Sequence, residues 1–300
     1  MTLATRSISK QLLWLSGSAA VFGVLAFGVV SEHPTLFSQS PLNKNSANSS
    51  AALIAIEHPA SGPTLSSGNT ASSSLYFQVT GSCGPYFDIS TCLVMRSGPG
   101  TAFPVVERLR DGMVLKIADS TTTANGQTWY QIGFDGDIHY PERVTSGWYV
   151  AAHYVHPFLD PGPIQESLSA AAEASTTKRI IIKRGAQMLY AYDGSTLFIQ
   201  TPISTGLDGT PTPLGQFHVF RKLPDSYMQG PVPGVSSQYY DLPGVPWDLY
   251  FTNEGAAIHG AYWHNHFGEP WSHGCVNLPV DTARILYEWA SLGTPVKVEP

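Results

Sequence analysis

Cys275 lies in the run Ser272-His273-Gly274-Cys275-Val276-Asn277, sixteen positions after His259. The attacking form of a cysteine is its thiolate, and an ordinary thiol is mostly protonated at neutral pH, so a nucleophilic cysteine needs a base beside it. His259 and His273 are the candidates. His259 closes the apolar run Ala256-Ala257-Ile258, which predicts a buried strand, and a base at a strand end is aimed without flexing. Gly274 has no side chain to obstruct backbone N–H groups, so it suits an oxyanion hole. A cysteine near a histidine is more often just a packed thiol, and the weight therefore falls on the pattern as a whole.

The elements that must position these groups are legible on either side. Arg179–Lys183 reads as a strand, and Gln187–Tyr192 pairs with Thr196–Ile203 across Asp193-Gly194, a two-residue hairpin signal. Ser204-Thr205-Gly206 and Thr210–Phe217 read as a turn leading into a strand, scaffold rather than chemistry. Leu223 to Val245 is rich in Pro, Gly and Tyr and predicts an irregular lid, with Tyr239 or Tyr240 on the substrate. Trp247–Phe251 and Ala256–His259 are two strands joined at Asn253-Glu254-Gly255. Pro279–Leu292 has helical spacing at Val280, Ala283, Leu286 and Trp289, with Gly293 as its stop, and Val296–Val298 is a last strand.

His259-Gly260, the spacer and Ser272-His273-Gly274-Cys275-Val276-Asn277 resemble the signature of the L,D-transpeptidase (YkuD-type) catalytic domain: His-Gly, then Ser/Thr-His-Gly-Cys-hydrophobic-Asn/Arg. The Ser204–Phe217 segment resembles a second recurrent segment of that family, and the resemblance spans roughly residues 177–300. It implies acyl transfer through a Cys275 thioester, with His259 as proton acceptor and donor and the Gly260 carbonyl orienting it. The amides of Gly274 and Cys275 are the implied oxyanion donors; Ser272, His273 and Asn277 position the loop or the substrate. The implied partners are peptidoglycan stem peptides as donor and acceptor, with no cofactor. The alternatives are a stem-peptide carboxypeptidase and a non-catalytic wall-binding protein. His259, His264, His266, His273 and Cys275 also raise the question of zinc, but their spacings match no common zinc pattern, and no metal is expected. His264 and His266 are expected to be exposed loop residues.

The chain has 300 residues, a formal net charge of −6 and only 13% charged residues, and it carries 28 glycines and 23 prolines. Such a composition favours strands and turns, so the expected fold class is mainly β. Without a Lys/Arg cluster there is nothing to neutralise phosphates, which excludes nucleic acid as a partner. Gln11 to Ser31 carries no charge and follows Arg6 and Lys10. Residues 1–37 are thus expected to hold a cytoplasmic tip and a transmembrane anchor, or alternatively a cleaved signal peptide, leaving the remainder outside the cytoplasm, at the membrane or in the wall. Residues 38–74 are a Ser/Asn-rich flexible tether. In an exported chain Cys83 and Cys92 pair naturally, leaving Cys275 as the odd thiol.

From Met95-Arg96-Ser97-Gly98-Pro99-Gly100-Thr101 through Trp129-Tyr130 to Gly147-Trp148-Tyr149-Val150, residues 75–157 resemble a bacterial SH3 domain, a small barrel of short strands. The insertion FDGDIHYPERVTS interrupts that pattern. Of the aromatic residues Tyr86, Phe103, Trp129, Tyr130 and Trp148, the two tryptophans are expected in its core. Residues 158–176 are an interdomain linker, with a short helix near 165–174, and residues 177–300 are the catalytic domain.

Overall fold

The computed structural model describes residues 74–86, 89–136, 138–160 and 177–300. The expected anchor or signal peptide, the tether up to residue 73 and the connecting helix near 165–174 lie outside the described residues. Among the described residues no helix is long and apolar enough to cross a membrane.

Seven short strands, β1 (Ser74–Gln78), β2 (Leu93–Arg96), β3 (Val105–Leu109), β4 (Val114–Thr122), β5 (Thr128–Gly133), β6 (Tyr149–Ala151) and β7 (His156–Asp160), form an antiparallel sheet in the order β3-β2-β6-β5-β4-β1-β7. A small barrel was expected; among the described residues the strands form one sheet with β3 and β7 at its two edges. Alternation puts Phe77, Met95, Leu115, Trp129 and Val150 inside, and Trp148 is buried with them. A disulfide joins Cys83 to Cys92, and Cys275 is free.

The second part begins with β8 (Lys178–Lys183), β9 (Met188–Asp193), β10 (Thr196–Pro202) and β11 (Gly215–His218), which with the C-terminal β16 (Pro295–Glu299) give the sheet β10-β9-β8-β16-β11. The β9–β10 turn is Gly194-Ser195, with Asp193 and Thr196 as the closing pair and Gly194 at φ 58°.

The segment expected to be an irregular lid is instead a long hairpin, β12 (Arg221–Val232) and β13 (Ser236–Tyr250), which pairs on with β14 (Ala257–Gly260) and β15 (Val276–Leu278). Three of its prolines sit at the sheet edge or in a register shift. Pro224 and Pro231 lie on β12, the edge of that sheet, and Pro243 falls in the register shift between the Ser226 and Met228 pairs. Gly244, at φ 66°, follows in the same irregularity, and a Cβ there would lie 2.8 Å from the Val114 carbonyl oxygen. Only a glycine lets the hairpin come this close to β4.

Among the described residues the α-helix is α1 (Val280–Trp289), which buries Ala283, Leu286 and Tyr287 on the face turned to the core. Lys222 Nζ donates to the Tyr287 and Ala290 carbonyls at 2.6 Å each, satisfying the helix C-terminus. One core lies between the five- and four-stranded sheets and this helix. A second is shared: Tyr227, Val245 and Tyr262 pack with Phe77, Leu109, Leu115 and Trp148 of the first sheet. Each such side chain contributes about 1.5–3 kcal/mol by leaving water, so the hairpin is held against the first sheet.

Candidate active site

Strands β14 and β15 run parallel, with Ile258 opposite Val276 and His259 opposite Asn277. Side chains alternate along a strand. Ile258, Val276 and Leu278 therefore enter the core, while His259 and Asn277 share the other face. Cys275, one residue before β15, falls beside Ala257 on that same face, diagonal to His259.

His259 is 1% exposed, and its Nδ1 lies 3.0 Å from the Gly260 carbonyl oxygen. A carbonyl only accepts, so Nδ1 carries the proton and Nε2 keeps its lone pair. Burial lowers the pKa of His259 to about 4, against the smaller opposing effect of that backbone bond. The imidazole is neutral at pH 7 and is a base by tautomer. Gly260 must be glycine because a Cβ would lie 2.9 Å from Pro246 and 3.2 Å from the Val280 backbone.

Cys275 is partly exposed, and its thiol lies 3.9 Å from the Gly255 carbonyl oxygen. Among the described residues no hydrogen bond joins it to His259. Burial pushes the thiol up to about 11; a backbone contact at Ala257 works the other way, and Asp248 adds to the rise. Thiol and imidazole are both neutral at rest.

The Ser272–Cys275 loop is locked by its own hydroxyls and by the Ser204–Thr212 segment. Ser272 Oγ donates to the Cys275 carbonyl at 2.6 Å and accepts from Gly274 N–H at 3.2 Å. In this state the Gly274 amide is thus engaged within the loop. Thr212 Oγ1 also donates to the Cys275 carbonyl, at 3.2 Å, and accepts from Gly206 N–H at 2.9 Å. Ser204 and Asn277 exchange backbone bonds, Leu207 N–H donates to the Ser272 carbonyl, and Trp271 and Ser272 both donate to the Thr205 carbonyl. Gln187 fixes Thr205 in turn, through its side chain, at 2.7 and 2.9 Å. Thr212 and Gln187 had no signal of their own in the sequence; only the turn that contains Thr212 did.

His264 is 4% exposed, which corrects the expectation of an exposed loop residue; His266 is partly exposed. His264 Nδ1 accepts from His266 N–H at 3.1 Å, so its Nε2 bears the proton in the neutral ring, and burial lowers its pKa to about 4. The side-chain amide of Asn277 lies 2.8 Å from that Nε2. The nearer amide atom is Nδ2, which would set two donors against each other, so the Asn277 amide is better turned over to present its otherwise unpaired oxygen to His264. His264 thus supports Asn277, opposite His259, a role that spacing alone did not reveal. Among the described residues no three His, Cys, Asp or Glu side chains converge in a metal-binding arrangement.

The hairpin tip closes the site's outer side. Tyr240 stacks on His273 at 5.2 Å between ring centroids, and His273 Nε2–H donates to Gln238 Oε1 at 2.6 Å. Burial lowers the pKa of His273 as well. Tyr239 is 65% exposed and turns away from this stack, over Arg143.

Residues 177–298 match the family model of YkuD, the L,D-transpeptidase catalytic domain, and the cysteine site lies wholly within that segment. The chain is 33% identical over 102 residues to L,D-transpeptidase 1 of Mycobacterium tuberculosis, a match covering 32% of this chain and 40% of that protein. The chain thus spans well under half the length of the curated relatives it matches. Among solved structures it is similar to the catalytic domain of the E. faecium L,D-transpeptidase, at 26% identity and a TM-score of 0.36 over 42% of this chain and 98% of that one. It is also similar to an L,D-transpeptidase from Mycobacterium smegmatis, at 18% identity and a TM-score of 0.39 over 62% and 99%.

Proposed function

We propose that this protein is a peptidoglycan L,D-transpeptidase that works through a Cys275 thioester. The observation that carries the proposal is the β14–β15 register, which sets Cys275 and a His259 with a free Nε2 on one face, inside the segment matched to that catalytic domain. Cys275 Sγ attacks the carbonyl of a stem-peptide bond as its proton passes to His259 Nε2. The C–N bond then breaks, and the imidazolium gives the proton to the departing amine. In the second half an acceptor amine attacks the thioester and gives a proton to His259, which passes it to the departing sulfur as the C–S bond breaks, restoring the thiol and the neutral imidazole.

The amides of Gly274 and Cys275 are the oxyanion donors in this reading. Ser272 Oγ releases the Gly274 N–H as charge develops on the substrate oxygen, a contribution of about 2.7–4 kcal/mol per donor by comparison with other oxyanion holes. His273 and Asn277 position the loop. In this reading the first sheet, as an SH3-like module, holds the wall, and the uncharged run Gln11–Ser31 serves as a membrane anchor or a cleaved signal peptide that takes the enzyme outside the cytoplasm.

The test is mass spectrometry of the protein with tetrapeptide stems, beside Cys275→Ala and His259→Ala. A thioester adduct and a cross-linked product, formed by the parent and lost in Cys275→Ala, are expected; a hydrolysed stem without cross-linking points to a carboxypeptidase. Wall binding with no adduct in any of the three rejects the catalytic reading.

A further inference from the structure

The insertion that breaks the SH3-like pattern contains the turn Pro141–Arg143, and Arg143 reaches from it onto the hairpin. Its Nη2 donates to the Gly230 carbonyl at 2.9 Å and its Nη1 to the Tyr240 carbonyl at 3.2 Å. Gly230 on β12 and Tyr240 on β13 are register partners, next to the shift between the Gly230 and Val232 pairs. One planar guanidinium thus bridges both strands where the ladder is irregular, a geometry a lysine ammonium does not reproduce.

The surroundings hold this side chain in place. The Arg143 guanidinium lies 4.0 Å from the Tyr140 ring centre and 4.5 Å from that of Tyr239, and 3.5 Å from Asp241. Tyr140 N–H donates to Gln229 Oε1 at 2.7 Å, its hydroxyl donates to the Pro231 carbonyl at 2.5 Å, and Gln229 Nε2 donates to Asp241 at 3.0 Å. The residue whose carbonyl Arg143 holds, Tyr240, is the one stacked on His273, two positions before the nucleophile.

We propose that Arg143 is a positioning residue for the cysteine site: from the first sheet it clamps the hairpin tip over His273 and so fixes the wall under which a peptide substrate passes. The part of this that concerns substrate rests on the acyl-transfer reading; the clamp itself does not. Arg143 is remote in sequence from the site it serves, and it belongs to a segment outside the matched catalytic domain. The SH3-like part would then complete the active site in addition to any hold it has on the wall.

The experiment compares the full chain with Arg143→Ala and Arg143→Lys by three readouts: hydrogen exchange of residues 229–241, KM and kcat for a tetrapeptide stem, and iodoacetamide alkylation of Cys275. In Arg143→Ala we expect exchange in the hairpin tip and KM each to rise about tenfold, the change that about 1.4 kcal/mol of clamping represents. We expect kcat to change less than KM and alkylation to be no slower. Arg143→Lys, which keeps the charge and the fold but not the fork, recovers only part of either effect. Unchanged exchange in both variants overturns the clamp. Faster exchange with an unchanged KM, or an equal loss of all signals through a lower Tm, overturns the positioning role. If the parent turns over no stem at all, the acyl-transfer reading fails while exchange still decides the clamp.

Discussion

His259 and Cys275 have been moved in opposite directions by the same cause. Burial disfavours charge, so the imidazole falls to about 4 and the thiol rises to about 11. Values so placed leave no preformed thiolate–imidazolium pair at neutral pH, and the proposed reaction would then move the proton only as a carbonyl is attacked. The two arrangements differ in an observable way. Alkylation of Cys275 by iodoacetamide, followed by intact-mass measurement, should accelerate steadily from pH 7 to pH 10, about tenfold per unit while the thiol remains mostly protonated. A rate that is already maximal and flat between pH 5 and pH 8 would show an ion pair instead.

At the scale of elements, the site depends on close packing between the Ser204–Thr212 turn and the nucleophile loop. Gly206 is where that packing admits no side chain: a Cβ would overlap the Thr210 carbonyl oxygen and lie 2.7 Å from the Thr212 nitrogen. Gly206 also bridges to Ser272 and donates to Thr212 Oγ1, whose own proton reaches the Cys275 carbonyl. Gly206→Ala should therefore displace the loop as well as lower stability. The expected result is a loss of stem-peptide acylation of at least about 100-fold, out of proportion to a fall in stability of about 1–3 kcal/mol. A variant that loses stability but acylates normally at low temperature would show that the turn is scaffold alone. The hairpin also changes which deletion is informative. Tyr227 is a core residue, with Met228 and Leu242 packed against the same cluster, so removing 224–244 would cost core packing as well as open a lid.

On the scale of the whole molecule, the junction between the first sheet and the hairpin carries buried acid. Asp248 is fully buried with no close hydrogen bond on either carboxyl oxygen, although the Ser226 side chain and its own backbone work weakly against the rise of its pKa, and Asp225 is 1% exposed with one oxygen unpaired. Burial raises both well above the usual carboxylate range, and Asp135 and Asp248 add to the rise at Asp225. The folded group holds its proton after the unfolded chain has released it. This cost to stability is absent below the ordinary value near 3.8 and grows as pH rises toward the folded value. Asp248→Asn removes the charge and keeps the shape. Thermal unfolding should find this variant more stable than the parent at pH 8, with a smaller gain at pH 5; a loss of stability at pH 8 would mean that the carboxylate has a partner.

Much of this protein was legible in local sequence. The strands of the five-stranded sheet, the helix after the nucleophile and the Cys83–Cys92 pair follow from alternation, turn chemistry and an odd number of thiols, which act over a few residues. The Ser272–Asn277 run and His259 were likewise visible, because the chemistry demands particular side chains at a narrow spacing. The β12–β13 hairpin was hidden because Pro and Gly mark a loop locally, and edge position and irregular register are what make them acceptable in a strand. Spacing did not bury His264 beneath Asn277, and it did not show Gly274's amide taken up by Ser272. Arg143 lies ninety-seven positions from the Tyr240 carbonyl it holds. Contacts of that kind form only when separate sheets pack, so tertiary structure alone decided what surrounds the cysteine, while the sequence by itself singled out Cys275 as the candidate nucleophile.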